Sequence, residues 1–426
     1  MSPGPRIYAD YNATTPLRPH AKAAVLRALE MTGNPSSVHG EGRTARALVE
    51  AARESVAAAI GACRDDIAFT SGGTEAVGAA LRGAMAAKGA GASLLASAIE
   101  HDAVASYVVE LDSTEAGARK ITTLWLESGG TTPLPCHDKV PYAGAYGLDI
   151  WPVLADGRVD LEFLRIIMQG FRGAPTEAPK PLVSLMLVNN ETGVIQPVAE
   201  AAEIVHAAGG LIHCDAIQAL GKITTSIIDL DVDYLSISAH KIGGPQGVGA
   251  FYVKPGAPFR AVQTGGGQEF GRRAGTENVA GTAGFGAAVE AAVAGIAKYE
   301  ALRPARDGME AQLKKAAPAL VVHGETAPRV AGVSCFGVEG LPAETQIMGL
   351  DLAGFAISAG SACSSGKVKP SRVLTAMGLK DTAARSAIRA SFGWATKPED
   401  FDALANAWIK MAARARPQLV KLDTHV

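Results

Sequence analysis

Lys241 stands where a reactive amine would be useful. It follows Tyr234-Leu-Ser-Ile-Ser-Ala239, which alternates apolar with small polar residues as a half-buried strand does. It precedes Gly243-Gly-Pro-Gln-Gly247, too glycine-rich to extend a strand or a helix. A lysine at the carboxyl end of a sheet strand lies where open α/β sheets bind ligands. Its amine becomes nucleophilic when a site lowers its pKa, and the usual purpose is a Schiff base. Asp215 closes a second strand, Leu211-Ile-His-Cys214, 26 residues earlier. A lysine for the imine and a carboxylate to keep a pyridine nitrogen protonated are the two protein groups that pyridoxal phosphate requires. Gln218, three residues on, is within reach of the ring hydroxyl. The competing reading of Lys241 is a solvated surface lysine, as most lysines are.

Three further stretches carry chemistry. In Thr70-Ser-Gly-Gly-Thr-Glu75 a glycine turn opens a helix, so the N–H groups of Gly73 and Thr74 and the Thr74 hydroxyl suit a phosphate. An ordinary capping turn on Ser71 or Thr74 is the alternative. His101 ends the strand Ser93–Ser97 and its turn, where it either caps the next helix or lies against a cofactor ring. Ser358-Ala-Gly-Ser-Ala-Cys-Ser-Ser-Gly366 sets Cys363 among small residues that cannot pack a core, so its thiol is expected to be exposed and reactive. Cys214 and Cys335, in apolar strands, read as structural. The polar loop Gln263–Thr276 offers Arg272, Arg273 and Thr276 to a phosphate or carboxylate.

The elements that must position these groups alternate from 67 to 253 as strand and helix, the α/β pattern. Leu182–Val188, apolar on both faces, reads as a central parallel strand. Residues 125–150 read as an excursion pinned by Trp125, Tyr142, Tyr146 and Trp151, and Gly173–Pro179 as a surface loop. A long alanine-rich helix, about Val279 to Leu302, leads to a smaller unit with strands at Val330–Phe336, Phe355–Ile357 and Arg385–Phe392 and a last helix from Glu399 to Arg416. The expected fold class is thus α/β, a large domain with a mostly parallel central sheet flanked by helices, plus a smaller α+β C-terminal domain. The division falls at 14–262 for the large domain, with 1–13 and 263–426 forming the small one.

Composition excludes several classes. With 426 residues, 48% apolar and 19% charged, the chain has ample core material. A net charge of −2 argues against a nucleic-acid binder working through a basic face. Five cysteines without a Cys-x-x-Cys pair make neither a disulfide framework nor a zinc site, so no metal is expected. No apolar run reaches the ~18 residues of a membrane span, and Met1–Arg6 lacks a signal-peptide core, which suggests a cytoplasmic location.

Taken together, Ala9-Asp-Tyr-Asn-Ala-Thr-Thr-Pro16, Thr70–Glu75, Glu100-His101, Val188-Asn-Asn-Glu-Thr-Gly193, His213-Cys-Asp-Ala-Ile-Gln218, Ser236-Ile-Ser-Ala-His-Lys241, Arg273-Ala-Gly-Thr276, Gly360-Ser-Ala-Cys363 and Ile388-Arg389 resemble the cysteine desulfurases of the class V aminotransferase family, of pyridoxal-phosphate fold type I. The likeness spans nearly the whole chain and is nearest to the branch that supplies sulfur for iron–sulfur assembly. It implies that Lys241 binds the cofactor as an imine, that Asp215 pairs with the pyridinium, and that His101 stacks on the ring and moves protons. Gln218 and Asn190 would meet the ring hydroxyl side. Thr74, Ser238 and His240 would bind the phosphate with the Gly73 backbone, and Thr276 would reach the phosphate of the neighbouring subunit of a homodimer. Arg389, with Asn34 and Asn190, would hold the carboxylate of L-cysteine. Cys363 would take the substrate sulfur as a persulfide for a sulfur acceptor, an iron–sulfur scaffold in that branch, and alanine would leave. The alternative is a selenocysteine lyase or another class V aminotransferase, neither of which needs Cys363. The stretches at 125–150 and 173–181 are longer than the family pattern leads one to expect.

Overall fold

The computed structural model describes residues 6–88, 93–113, 150–169, 171, 181–360 and 370–421. Cys136, His137 and Cys363 lie outside the described residues. So do all but the last residue of the stretches expected as an excursion at 125–150 and a loop at 173–181.

A two-residue strand, β1 (Ile7–Tyr8), precedes the strands of a seven-stranded sheet: β2 (Ile67–Thr70), β3 (Leu94–Ser97), β4 (Ile150–Trp151), β5 (Leu182–Met186), β6 (Leu211–Asp215), β7 (Tyr234–Ser238) and β8 (Gly249–Val253). Their order is β2-β8-β7-β6-β5-β3-β4. Only β8 runs against its neighbours, so the sheet is mostly parallel, as expected. β5 lies inside the sheet, between β6 and β3, and is buried along its whole length. Each large apolar side chain buried there stabilises the fold by roughly 1.5–3 kcal/mol.

β7 departs from expectation. It is buried on both faces, not half-buried. The alternation of Ser with apolar residues misleads because Ser236 finds its partner inside the fold. Ser236 Oγ lies 2.9 Å from His213 Nε2, and Ser184 Oγ lies 3.0 Å from His213 Nδ1. Helix Gly73–Lys88 packs over β7 and β8, and burial holds the His213 imidazole neutral, with its pKa down at about 3.

The second sheet contains β9 (Val321–Val322), β10 (Val333–Gly337), β12 (Ser358–Ala359) and β13 (Ala387–Ser391), in antiparallel order β12-β13-β10-β9. Helices Ala343–Leu352 and Glu399–Ala415 accompany it. The N-terminal strand joins this part of the chain: β1 pairs in parallel with β11 (Phe355–Ala356), Ile7 opposite Phe355.

The alanine-rich helix is shorter than its sequence suggests. It runs Val279–Ala294, breaks at Gly295, and continues as Ile296–Glu300 and Arg303–Ala316, with a bend of 58° at the break. Glycine is costly inside a helix, and Pro304 in the first turn of the last segment favours a fresh start there. Its small residues serve close packing. A Cβ on Gly286 would lie 2.7 Å from the Ala52 Cα, so this helix can press against Gly40–Ile60 only with glycine there.

Candidate active site

The carboxyl ends of β5, β6 and β7, the amino end of helix Gly73–Lys88 and one edge of β13 enclose a cavity of ≈ 580 Å³. After β7 the chain makes one tight turn, Ala239–Lys241, closed by the Ile242 N–H on the Ala239 carbonyl. Gly243, at φ +87°, then turns the backbone away in a conformation that a β-carbon disfavours. Lys241 is thereby aimed inward. Its Nζ donates to the carbonyls of Asn12 (2.7 Å) and Ala13 (2.8 Å), and no carboxylate of the described residues hydrogen-bonds it. Desolvation first, then the Arg389 charge, bring its pKa down to about 8, against the pull of Asp10 and Asp215. At pH 7 about one such amine in ten is unprotonated, against about one in two thousand for an ordinary lysine. That difference makes it a usable nucleophile.

Asp215 ends β6 with 4% of its surface exposed and accepts the Ile217 N–H at 2.9 Å. Burial raises its pKa; the Ile217 bond, His101 and Lys241 oppose that shift. Glu100 lines the cavity nearby, with Oε1 taking the Ser97 hydroxyl and the Met186 N–H and Oε2 buried without a partner. Desolvation and then Asp215 push its carboxyl up to about 8. The floor therefore holds two buried carboxyls, both raised by burial, and a cation placed against either would offset that cost.

Gly73, Thr74, Ser238 and His240 gather at one end of the cavity. A Cβ on Gly73 would come within 2.7 Å of Ile217 Cδ1 and 3.1 Å of Ser238 Cβ. Ser238 Oγ is buried without a hydrogen-bond partner. His240 Nδ1 lies 3.3 Å from Thr14 Oγ1, and burial followed by the Lys241 charge lowers its pKa to about 4. At the other end Arg389, on β13, donates to Asp10 (2.8 Å) and the Asn190 carbonyl (3.1 Å), while its Nε is buried and unpartnered. An incoming carboxylate would compete with Asp10 for this fork. His101 Nδ1 accepts the Ala103 N–H at 3.1 Å, so it caps helix Asp102–Ser113 while facing the cavity.

Lys241, Asp215, His101, Gln218, Asn190, Gly73, Thr74, Ser238, His240 and Arg389, expected from sequence as site residues, all line this one cavity. Two others do not. Asn34, expected beside Arg389, is exposed, and its side-chain oxygen is taken by the Ser36 N–H in a local turn. Thr276 is exposed outside the cavity. Arg272 and Arg273, expected to suit an added anion, are engaged within the chain: Arg273 pairs with Glu75 at 2.8 Å and Arg272 donates to the Asp65 carbonyl. The sequence reading missed Asn12 and Glu100, which lay inside quoted motifs without a role, and Lys222, whose only signal was a lysine within the apolar run Ala219–Ile223.

A sequence profile of the Aminotransferase class-V family matches residues 7–132 and 146–404, interrupted within the long stretch noted above. A cysteine desulfurase of Cereibacter sphaeroides is 41% identical over 92% of each chain, and the cysteine desulfurase IscS of Dictyoglomus turgidum is 37% identical over 93% of this chain and 92% of its own. Among solved structures, a NifS-like protein of Rickettsia africae aligns with a TM-score of 0.79 at 29% identity, covering 95% of this chain and 99% of its own. SspA in complex with cysteine aligns at 0.68 and 26% identity, over 91% and 98%. With a fold, a cavity and a full-length match that agree, the chain belongs to the class V aminotransferase family.

Proposed function

We propose that the chain is a pyridoxal-phosphate-dependent cysteine desulfurase that converts L-cysteine to L-alanine and leaves the sulfur on Cys363 as a persulfide. The observation that carries the reading is the half-buried amine of Lys241, lowered toward neutrality, in one cavity with a buried carboxylate and a guanidinium nitrogen left without a partner among the described residues. The cysteine desulfurases to which the chain is similar support the reaction type.

The residues fit the cofactor. The partnerless Ser238 hydroxyl beside the Gly73 turn makes a cradle that a β-carbon at 73 would fill, and it has donors suited to a phosphate. Asp215 is a buried carboxylate in want of a cationic partner, which a protonated pyridine nitrogen provides. Bound there, pyridoxal phosphate supplies an aldehyde carbon for amines and a ring that draws electron density from the substrate α-carbon.

The chain's own groups do the rest. Arg389 orients the substrate carboxylate through the guanidinium fork now shared with Asp10. Lys241, with its pKa lowered to about 8, would be a base of suitable strength to move the α-proton. His101, exposed at the cavity mouth, can carry a proton at its Nε2 while Nδ1 caps the helix. The thiol of Cys363 attacks the substrate sulfur. One carbon–sulfur bond breaks and one sulfur–sulfur bond forms, so L-cysteine and a thiol become L-alanine and a persulfide with nothing left over.

A homodimer completes the reading. The exposed Thr276 reaches the phosphate of the neighbouring subunit, and the acceptor is an iron–sulfur scaffold, as the name of the relative IscS suggests. The test is to supply pyridoxal phosphate, L-cysteine and a reductant to the purified protein. Sulfide and alanine in equal amounts are expected; alanine without sulfide, or neither product, contradicts the reading.

A further inference from the structure

Lys222 is 6% exposed and has no acidic partner among the described residues. Its Nζ donates to two neutral oxygens, Asn12 Oδ1 at 2.7 Å and Gln218 Oε1 at 2.6 Å. Both acceptors belong to the wall of the Lys241 cavity. Gln218 Nε2 donates to the Asn12 carbonyl at 2.9 Å, and Lys241 donates to that same carbonyl at 2.7 Å. Asn12 Nδ2 donates to the Asn190 carbonyl at 2.9 Å, which Arg389 also uses. One asparagine thus links the reactive amine, the substrate-side arginine and Gln218, and the lysine beneath it closes the network.

We propose that Lys222 is a positioning residue: its two N–H bonds hold the oxygens of Asn12 and Gln218, so that the Gln218 NH₂ is turned to the Asn12 carbonyl and the cavity. This rests on the pyridoxal-phosphate reading above and names the residue that sets Gln218 as a donor to the cofactor's ring oxygen. The Asn12 carbonyl can only accept, so the Gln218 atom beside it must be the NH₂, and the oxygen must face away. That buried oxygen needs a donor, and Lys222 is it.

The amine does this without charge. Two hydrogens meet two acceptors, whereas the third hydrogen of an ammonium has no acceptor among the described residues. The ionisable groups facing it are Lys241 after β7 and Arg389 on β13, both cationic. Tyr11, Arg18 and Tyr299 share the small hollow beside it, and no carboxylate lines that hollow. Burial and those charges hold its pKa well below the usual lysine value.

Two measurements test this. In the first, wild type and Lys222→Met are saturated with pyridoxal phosphate and the cofactor's visible band is titrated. Losing the ordered donor destabilises the ring-oxygen anion, so the midpoint in Lys222→Met should rise by about one unit. Lys222→Gln, neutral and retaining two N–H bonds, should recover more than half of that shift. An unchanged midpoint in Lys222→Met overturns the assignment, and no band in either protein overturns the cofactor reading and this role with it. The second measurement uses cofactor-free protein and urea. A lysine held neutral in the fold but protonated when unfolded makes stability rise with pH through the alkaline range. The wild-type urea midpoint should therefore gain on that of either Lys222 variant as pH rises above about 7. Parallel pH profiles overturn the neutral, buried amine whatever the cofactor does.

Discussion

At the Arg53–Glu269 pair, both side chains are 3% exposed and every charge is answered. The guanidinium spans both carboxylate oxygens and the Ile67 carbonyl, and Glu269 also takes the Phe69 N–H. Arg329 and Glu310 repeat the design with two bonds of 2.8 Å. The Lys241 cavity answers its charge less completely: Arg389 meets Asp10 at 2.8 Å, but other groups there go without an opposite charge. Lys241 and Lys222 have only neutral oxygens as hydrogen-bond partners, while Glu100 Oε2, Ser238 Oγ and Arg389 Nε have none among the described residues. A buried ion that is fully paired fixes geometry. A buried group left short of partners has its pKa moved and its bonding capacity reserved, which is what a reaction site needs.

The sharpest way to break the contrast is at the less answered end. Lys241→Ala should abolish the visible band on adding pyridoxal phosphate and lower desulfuration by at least about 10³-fold, while sparing the fold. Cys363→Ser should lose sulfide formation to a similar degree and keep the band, which separates sulfur transfer from cofactor binding.

At the answered end, Glu269→Ala should cost about 3–5 kcal/mol in urea unfolding, because it strands the Arg53 charge. Glu269 and Phe270 also adopt left-handed backbone at φ 51° and 55°, which the pair holds in place. A loss under 1 kcal/mol would mean that the pair is not what secures this turn.

Between the two lies Glu100. Its folded carboxyl, at about 8, sits above the unfolded value, so the fold retains a proton that the unfolded chain releases. Wild-type stability should fall as pH rises from about 4 to about 8, and Glu100→Gln should remove that slope, for a difference of roughly 2–4 kcal/mol at the alkaline end.

The smallest effect is at the surface. His206, raised mainly by its bond to Asp233, contributes stability below pH ~6.5 that is lost as pH rises through its folded pKa. His206→Gln should flatten that change by a few tenths of a kcal/mol.

Much of the site was readable because it is written at strand ends. Asp215 and Lys241 close β6 and β7, Gly73 and Thr74 open a helix after β2, and short motifs mark each junction. Arg389 came from its place in a strand of the second sheet. What the sequence hid depends on contacts across the chain. Lys222 reaches Asn12 over 210 positions, and nothing local distinguishes a lysine that points inward from one that points out. The serines of β7 looked solvent-facing because the histidine that satisfies Ser236 lies on another strand. Arg273 looked like an anion ligand because its partner Glu75 is 198 positions away.

Among the described residues, the buried amine of Lys222 and the half-buried amine of Lys241 share one network with lowered pKa, and only Lys241 is assigned to the cofactor. Borohydride reduction of the pyridoxal-phosphate-saturated protein, followed by peptide mass mapping, distinguishes them directly. The account predicts the pyridoxyl group on the peptide bearing Lys241, with Lys222 unmodified. A label on Lys222, on a surface lysine, or on none would contradict it.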